Sequence, residues 1–261
     1  GKYLDKHGLQ NRHDILLEHL NEVCKITDKY GFKPMMWSDM FYRIANGGEY
    51  YATNTKFNGE IAKEIPENLT LVYWDYYHTD KKTYASMIKG HKKLTDNVAF
   101  AGGAWRWIGF TPHNRYSMRI TKAALTACIE GGVKNAFITM WGDNGAECSS
   151  YAVLPSLCYA ACLAEGITAI GDIKAKFREW VGAEFDDFML LDLPDTVHKA
   201  DGEINPSKYE LYNDCFMGIL DSAIVEGDGK AYKTAARRLK NAVKRNTEYK
   251  HLFDTSSKLC N

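Results

Sequence analysis

Four stretches of the sequence set an indole beside a charged side chain at the end of an apolar run: Trp37-Ser38-Asp39, Tyr73-Trp74-Asp75, Trp105-Arg106-Trp107 and Trp141-Gly142-Asp143. Three of them place Asp within two residues of Trp. Carboxylates accept hydrogen bonds, and indoles offer flat apolar faces. Together they suit a sugar, whose C–H faces pack on indole while its hydroxyls donate to acids. A single strand-end Trp is more often core, and a single Asp more often a helix cap or turn former. Four repeats at equivalent places are harder to assign to packing alone. Strand alternation predicts Trp37 and Asp39 on one face, and likewise Trp141 and Asp143. It also puts Tyr73, Asp75 and Tyr77 opposite Trp74 and Tyr76.

The elements that must carry these residues alternate. The spacing of Ile15, Leu16, His19, Leu20, Val23, Ile26 and Thr27 predicts a helix, started by Asn11 or Asp14 and ended by Gly31. "FKPMMWSDM" reads as a buried strand, "NGEIAKEI" as a short helix, and "LTLVYWDYY" as the strongest strand. "KKTYASMIKGHKKL", "NVAFAGGAWRW", "YSMRITKAALTACIEGG", "KNAFITMW" and "AVLPSLCYAACLAEG" continue as helix, strand, helix, strand and helix. Such alternation implies parallel strands with right-handed crossovers. A doubly wound sheet and half of a (β/α)8 barrel both fit. "AGGAWRW" is not a GxGxxG loop, so a nucleotide fold is unsupported. After Gly166 "DIKAKFREWVGAEFDDFMLLD", "PSKYELYNDCFMGILDSA" and "GKAYKTAARRLKNAVKRNTEYKHLF" read as helices, with a loop over 192–206. The domains expected are 1–165, α/β, and 166–261, all-α.

The 261 residues carry 33 basic and 33 acidic side chains, a balance that favours neither nucleic acid nor an anionic membrane. "RRLKNAVKR" then reads as a solvated helix face. No run is long and apolar enough to span a membrane. Seven Cys show no disulfide spacing, which points to a reducing, cytoplasmic setting. Cys158 and Cys162 stand at i, i+4, but their apolar surround reads as buried thiols rather than metal ligands. The His residues form no HxH or HExxH, so neither a metal nor another cofactor is expected.

The ordered set of Trp37-Ser38-Asp39, Tyr73-Trp74-Asp75 and Trp141-Gly142-Asp143, with "GKYLDKHGLQNR" and "KPMMWSDM", resembles glycoside hydrolase family 20, the β-N-acetylhexosaminidases. The likeness is to bacterial N-acetyl-β-D-glucosaminidases with a C-terminal helical domain, and covers nearly the whole chain. It implies strands 5–8 of a (β/α)8 barrel followed by helices. It also implies retaining hydrolysis of terminal β-linked N-acetylglucosamine or N-acetylgalactosamine, in which the substrate's own 2-acetamido oxygen attacks the anomeric carbon. By resemblance, Tyr73 donates to the acetamido oxygen and Asp75 holds sugar hydroxyls. Trp37, Trp141 and Trp105 or Trp107 wall the subsite. Asp39 shares the first indole's place. Asp143 stands where many members carry Glu for the 4- and 6-hydroxyls, which puts those contacts in doubt. Glu147 has no counterpart.

The family's consecutive Asp-Glu pair, orienting acid and general acid, is absent: no Asp-Glu dipeptide occurs in the sequence. The chain is therefore expected to begin just after the fourth strand and to be inactive alone. Open strand edges should pair with the barrel's N-terminal half, a second copy or another polypeptide. Two alternatives stand beside this one. One is a non-catalytic sugar-binding half-barrel assembly; the other is a barrel glycosidase using Asp39, Asp75 or Asp143.

Overall fold

The computed structural model describes residues 2–8, 10–57, 59–197, 206–224, 227 and 229–261. It divides into two compact units.

The first comprises Gly1–Gly102 and Thr126–Phe137. Helix α1 spans Lys2–His7 and α2 spans Arg12–Lys29. Asn11 caps α2 by accepting from the His13 N–H, and Gly31, at φ +73°, turns the chain out of it. The helix buries Leu17, Leu20 and Cys24. Val23 and Ile26 of the expected stripe are exposed instead, because α2 has two apolar faces and only one is covered among the described residues. Strand β1 is Met35–Trp37, followed by α3 (Asp39–Ala45), α4 (Gly59–Glu64), β2 (Thr70–Trp74), α5 (Lys81–His91) and β3 (Val98–Gly103). Then come α6 (Asn114–Glu130) and β4 (Asn135–Thr139).

The strands form one sheet in the order β1-β2-β3-β4, with β1–β2 and β2–β3 parallel. Central β2 and β3 are apolar on both faces and almost wholly buried, as parallel strands between covering layers should be. The edges are different. β1 was expected to be buried, yet Met35 is 52% exposed, and Phe137 of β4 is also open to solvent. Apolar edge strands that stand uncovered are a pairing hazard. Alternation holds along β2: Tyr73 packs against Tyr84 and His91 of α5 and Phe100 of β3, while Trp74 packs with Val72, Ala99 and Ala101 on the opposite face. It stops there, because the strand ends at Trp74 and Asp75 opens a turn.

The second unit comprises Gly103–Leu125 and Ile138–Asn261. It contains α7 (Leu154–Ala164), α8 (Ile170–Val181), α9 (Phe185–Phe188), a 3-10 segment Met189–Asp195, α10 (Pro206–Tyr212), α11 (Gly229–Val243) and α12 (Lys250–Leu259). Its core centres on Phe177, Phe185, Phe188 and Phe253, with Phe188 ring centroids 5.3 Å from Phe177 and 5.4 Å from Phe253. Cys158 and Cys162 lie in this core, and burial pushes the Cys158 thiol up to about 12.

Two helix expectations are corrected. α10 stops at Tyr212 instead of running to 223, because the Asp214 carboxylate accepts from the N–H groups of Phe216 and Met217 and turns the chain. α11 and α12 are separate helices, not one. Of the loop expected over 192–206, residues 192–195 are 3-10 helix, and 198–205 lie outside the described residues.

Candidate functional site

Trp37, Asp39, Tyr73 and Asp75 belong to the first unit. Trp37 ends β1 with its ring 6.1 Å from Phe137 and 38% exposed. The next residue, Ser38, is buried: its hydroxyl lies 2.6 Å from His91 Nε2 and 2.9 Å from the Val72 carbonyl. His91 donates Nδ1–H to Met87 O, and burial lowers it to about 4, so it is a neutral structural link. Asp39 does not share a strand face with Trp37, because it is the first residue of α3, where it accepts from Arg43 Nε at 3.1 Å.

Tyr73 and Asp75 meet, but not as their spacing implies. Tyr73 is wholly buried and donates its hydroxyl to Asp75 Oδ2 at 2.8 Å. Asp75 is also buried and takes three more donors: the N–H groups of Tyr77 and His78 on Oδ1, at 3.0 and 3.2 Å, and His78 Nδ1 on Oδ2, at 2.7 Å. An ionised carboxylate only accepts, so His78 is the donor. Neither Tyr73 nor Asp75 therefore presents a spare polar atom to solvent. Tyr73 points into the helix layer and its hydroxyl is committed, which corrects the expectation that it reaches a ligand directly.

Trp105, Trp107, Trp141 and Asp143 belong to the second unit. Trp105 is fully buried and Trp107 nearly so, with ring centroids 5.1 Å apart; Tyr116 stands edge-on to Trp105 at 4.7 Å. The Trp105 N–H donates to Ser117 Oγ at 2.8 Å, and Trp105 O accepts from the His113 N–H at 2.9 Å. These indoles are core. Trp141, by contrast, is 41% exposed, and the Asp143 carboxylate is exposed too.

The loop that carries Trp141 and Asp143 is strained. Asn144, Gly145 and Ala146 all have positive φ, +55°, +103° and +57°, which costs energy at the two non-glycine positions. Side chains hold it in that shape. Arg106 donates Nε to Cys148 O at 2.9 Å and Nη1 to Met140 O at 3.4 Å, clasping both ends. Glu147 accepts from Lys208 Nζ at 2.7 Å, which holds its carboxyl below the ordinary range, and the same ammonium donates to Asn144 O. This gives Glu147 a structural role that spacing could not supply.

A second tie fixes the other loop. Asp192, fully buried, accepts from the Asn114 N–H at 2.9 Å and the Arg115 N–H at 2.8 Å, the first amides of α6. It thus caps that helix, where a negative charge also suits the dipole. Burial raises Asp192 to about 6 against these bonds. Asp195 accepts from Thr111 Oγ1 at 2.9 Å and Ser207 Oγ at 2.5 Å.

Residues 186–261 match the Glycoside Hydrolase 20C C-terminal domain. The match covers the C-terminal 76 of the 261 residues. No curated protein matches the chain.

The 20C domain is more than a helical appendage. Its Asp192, Asp195 and Lys208 are the side chains that hold the 104–115 and 141–148 loops. Its own frame is held by Asp187, which accepts from Arg245 Nε at 2.9 Å and Asn246 Nδ2 at 2.9 Å. Burial raises that carboxyl, and the Arg245 and Asn246 bonds outweigh it, leaving it lowered. Arg106→Ala should cost the second unit about 1–2 kcal/mol, from loss of charge-assisted bonds to the loop carbonyls. Faster proteolysis between residues 141 and 147 is the measurement; unchanged cleavage would show that Arg106 does not hold the loop.

Among the described residues no group of His, Cys, Asp or Glu could hold a metal, and no helix is long and apolar enough to cross a membrane.

Proposed function

We propose that the chain is part of an exo-acting retaining β-N-acetylhexosaminidase, supplying strands 5–8 of a (β/α)8 barrel and its C-terminal helical domain. The match of residues 186–261 to the 20C domain carries this reading. The sheet order supports it: four strands adjacent in chain order, with no reversal, suit a barrel segment better than a doubly wound sheet. Exposed Met35, Trp37 and Phe137 at the sheet edges support pairing with the N-terminal half of such a barrel, or with a second copy.

The catalytic step falls outside this chain. In the substrate-assisted route the 2-acetamido oxygen attacks the anomeric carbon, an Asp orients that group, and the adjacent Glu protonates the leaving oxygen. No Asp-Glu dipeptide is present to do this. What the chain supplies is binding. In the second unit Trp141 offers an exposed indole for a sugar and Asp143 an exposed acid for its hydroxyls; taken by itself, the first unit offers the exposed indole of Trp37. Trp105 and Trp107 are core rather than ligand contacts, and Tyr73 acts through Asp75. Asp39 is engaged by Arg43 and Asp75 by four donors, which weighs against either as a general acid.

The test is ligand-induced quenching of tryptophan fluorescence. N-acetylglucosamine should quench and glucose should not. Trp141→Ala should lose about 2 kcal/mol of binding, roughly thirtyfold, with the fold unchanged because the ring is exposed. Equal response to both sugars, or none to either, would overturn the sugar-site reading.

A further inference from the structure

The turn after β2 holds one side chain that the strand-end motifs do not include. His78 follows Asp75 by three residues, and its Nδ1 lies 2.7 Å from Asp75 Oδ2. The Asp75 side chain has no solvent exposure, whereas that of His78 is 32% exposed. Asp75 is itself immobilised by the Tyr73 hydroxyl and by the N–H groups of Tyr77 and His78. The imidazole is therefore fixed from behind at one nitrogen. Tyr51 stands edge-on to it at 4.9 Å and Tyr84 at 6.4 Å. Tyr51 also packs on Trp74 at 5.7 Å, so the histidine adjoins the indole at the end of β2. The Tyr51 hydroxyl is enclosed without a hydrogen-bond partner among the described residues, a second unspent polar atom at this place.

A carboxylate that holds Nδ1 of a histidine sets the ring's orientation and leaves Nε2 to act on what arrives from solvent. We propose that His78 is a sugar-binding residue, whose Nε2 hydrogen-bonds a ring hydroxyl of the hexosaminide at the C-terminal end of β2. Asp75 and Tyr73 are then positioning residues. This rests on the sugar-site reading above, and it gives the buried Tyr73–Asp75 pair a purpose. A hydroxyl serves either protonation state, accepting from the imidazolium or donating to the neutral ring. The titratable groups facing the ring are Asp75, Asp80, Tyr51 and Tyr84. The Asp75 bond raises His78 most, burial opposes it, and Asp80 adds to the rise.

The experiment is a titration of the whole chain with N-acetylglucosamine, followed by imidazole 15N shifts and by tryptophan fluorescence. His78 Nε2 should move on saturation while Nδ1 stays. His78→Asn keeps an N–H where Nδ1 donates to Asp75 and removes Nε2. It should weaken binding about tenfold, the scale of one hydrogen bond, and leave the unfolding midpoint unchanged. Tryptophan quenching with a stationary Nε2 and equal affinity in His78→Asn would overturn the His78 assignment and leave the sugar-site reading standing. No response of any signal in the unsubstituted chain would overturn both.

Discussion

Asp192→Ala should lower the stability of the second unit by about 3 kcal/mol at pH 7, because it leaves one buried and one part-buried backbone N–H of α6 without their acceptor and takes one of the two acceptors of Asn114 Nδ2. The loss should grow on acidification. Burial raises the Asp192 carboxyl from 3.8 to about 6 in the folded protein. Between those values the folded state binds a proton that the unfolded chain does not. The associated stability is thus fully present below about pH 4 and is lost as pH rises through about 6. At about 1.4 kcal/mol per pH unit of displacement it amounts to about 3 kcal/mol. Asp195, also raised by burial, works in the same direction. Urea unfolding at pH 5 and pH 7.5 should show unsubstituted protein favoured at the lower pH on this account, and a flatter dependence in Asp192→Ala. Parallel curves for the two proteins would mean that Asp192 does not titrate as its burial requires.

Trp105→Ala should cost about 3–5 kcal/mol, the range for removing a buried large aromatic and leaving a cavity. Trp105 is enclosed by Trp107 and Tyr116, and nothing of its ring reaches solvent. Any loss of sugar binding in this variant should therefore follow loss of structure. Trp141→Ala should behave in the opposite manner, weakening binding while the urea midpoint stays put. Similar midpoints for the two variants would contradict the separation of core indole from exposed indole.

That separation marks where the sequence stops being legible. Element type was readable from periodicity: the strand–helix alternation through 164, the Asn11 cap, and the helices after 166. Burial was not. "MMW" and "NAFIT" read as buried strands, since apolar β-branched and aromatic runs look alike whether or not a neighbour covers them. The four indole motifs also looked equivalent in sequence. Trp105 and Trp107 turned inward because the chain after β3 is folded under by Ser117, Thr111 and Asn114 contacts, all long-range. Alternation placed Tyr73 opposite Trp74 correctly, but it could not show that the strand ends one residue later. Asp75 is consequently a turn acceptor rather than a face residue. His78 carries a usable signal, an acid three residues before a histidine just past a strand, which metal-ligand spacings such as HxH and HExxH do not register. Nothing in the sequence pointed to Asp192, 78 positions from the helix it caps.

The central claim is that this chain binds an N-acetylhexosaminide but takes its catalytic acids from elsewhere. Hydrolysis of a chromogenic β-N-acetylglucosaminide by this chain alone tests it most directly, measured again after adding a barrel N-terminal half that carries an Asp-Glu pair. The account predicts no turnover alone and turnover on addition. Robust hydrolysis by the chain alone would contradict it and return the search for a general acid to Asp39, Asp75 and Asp143.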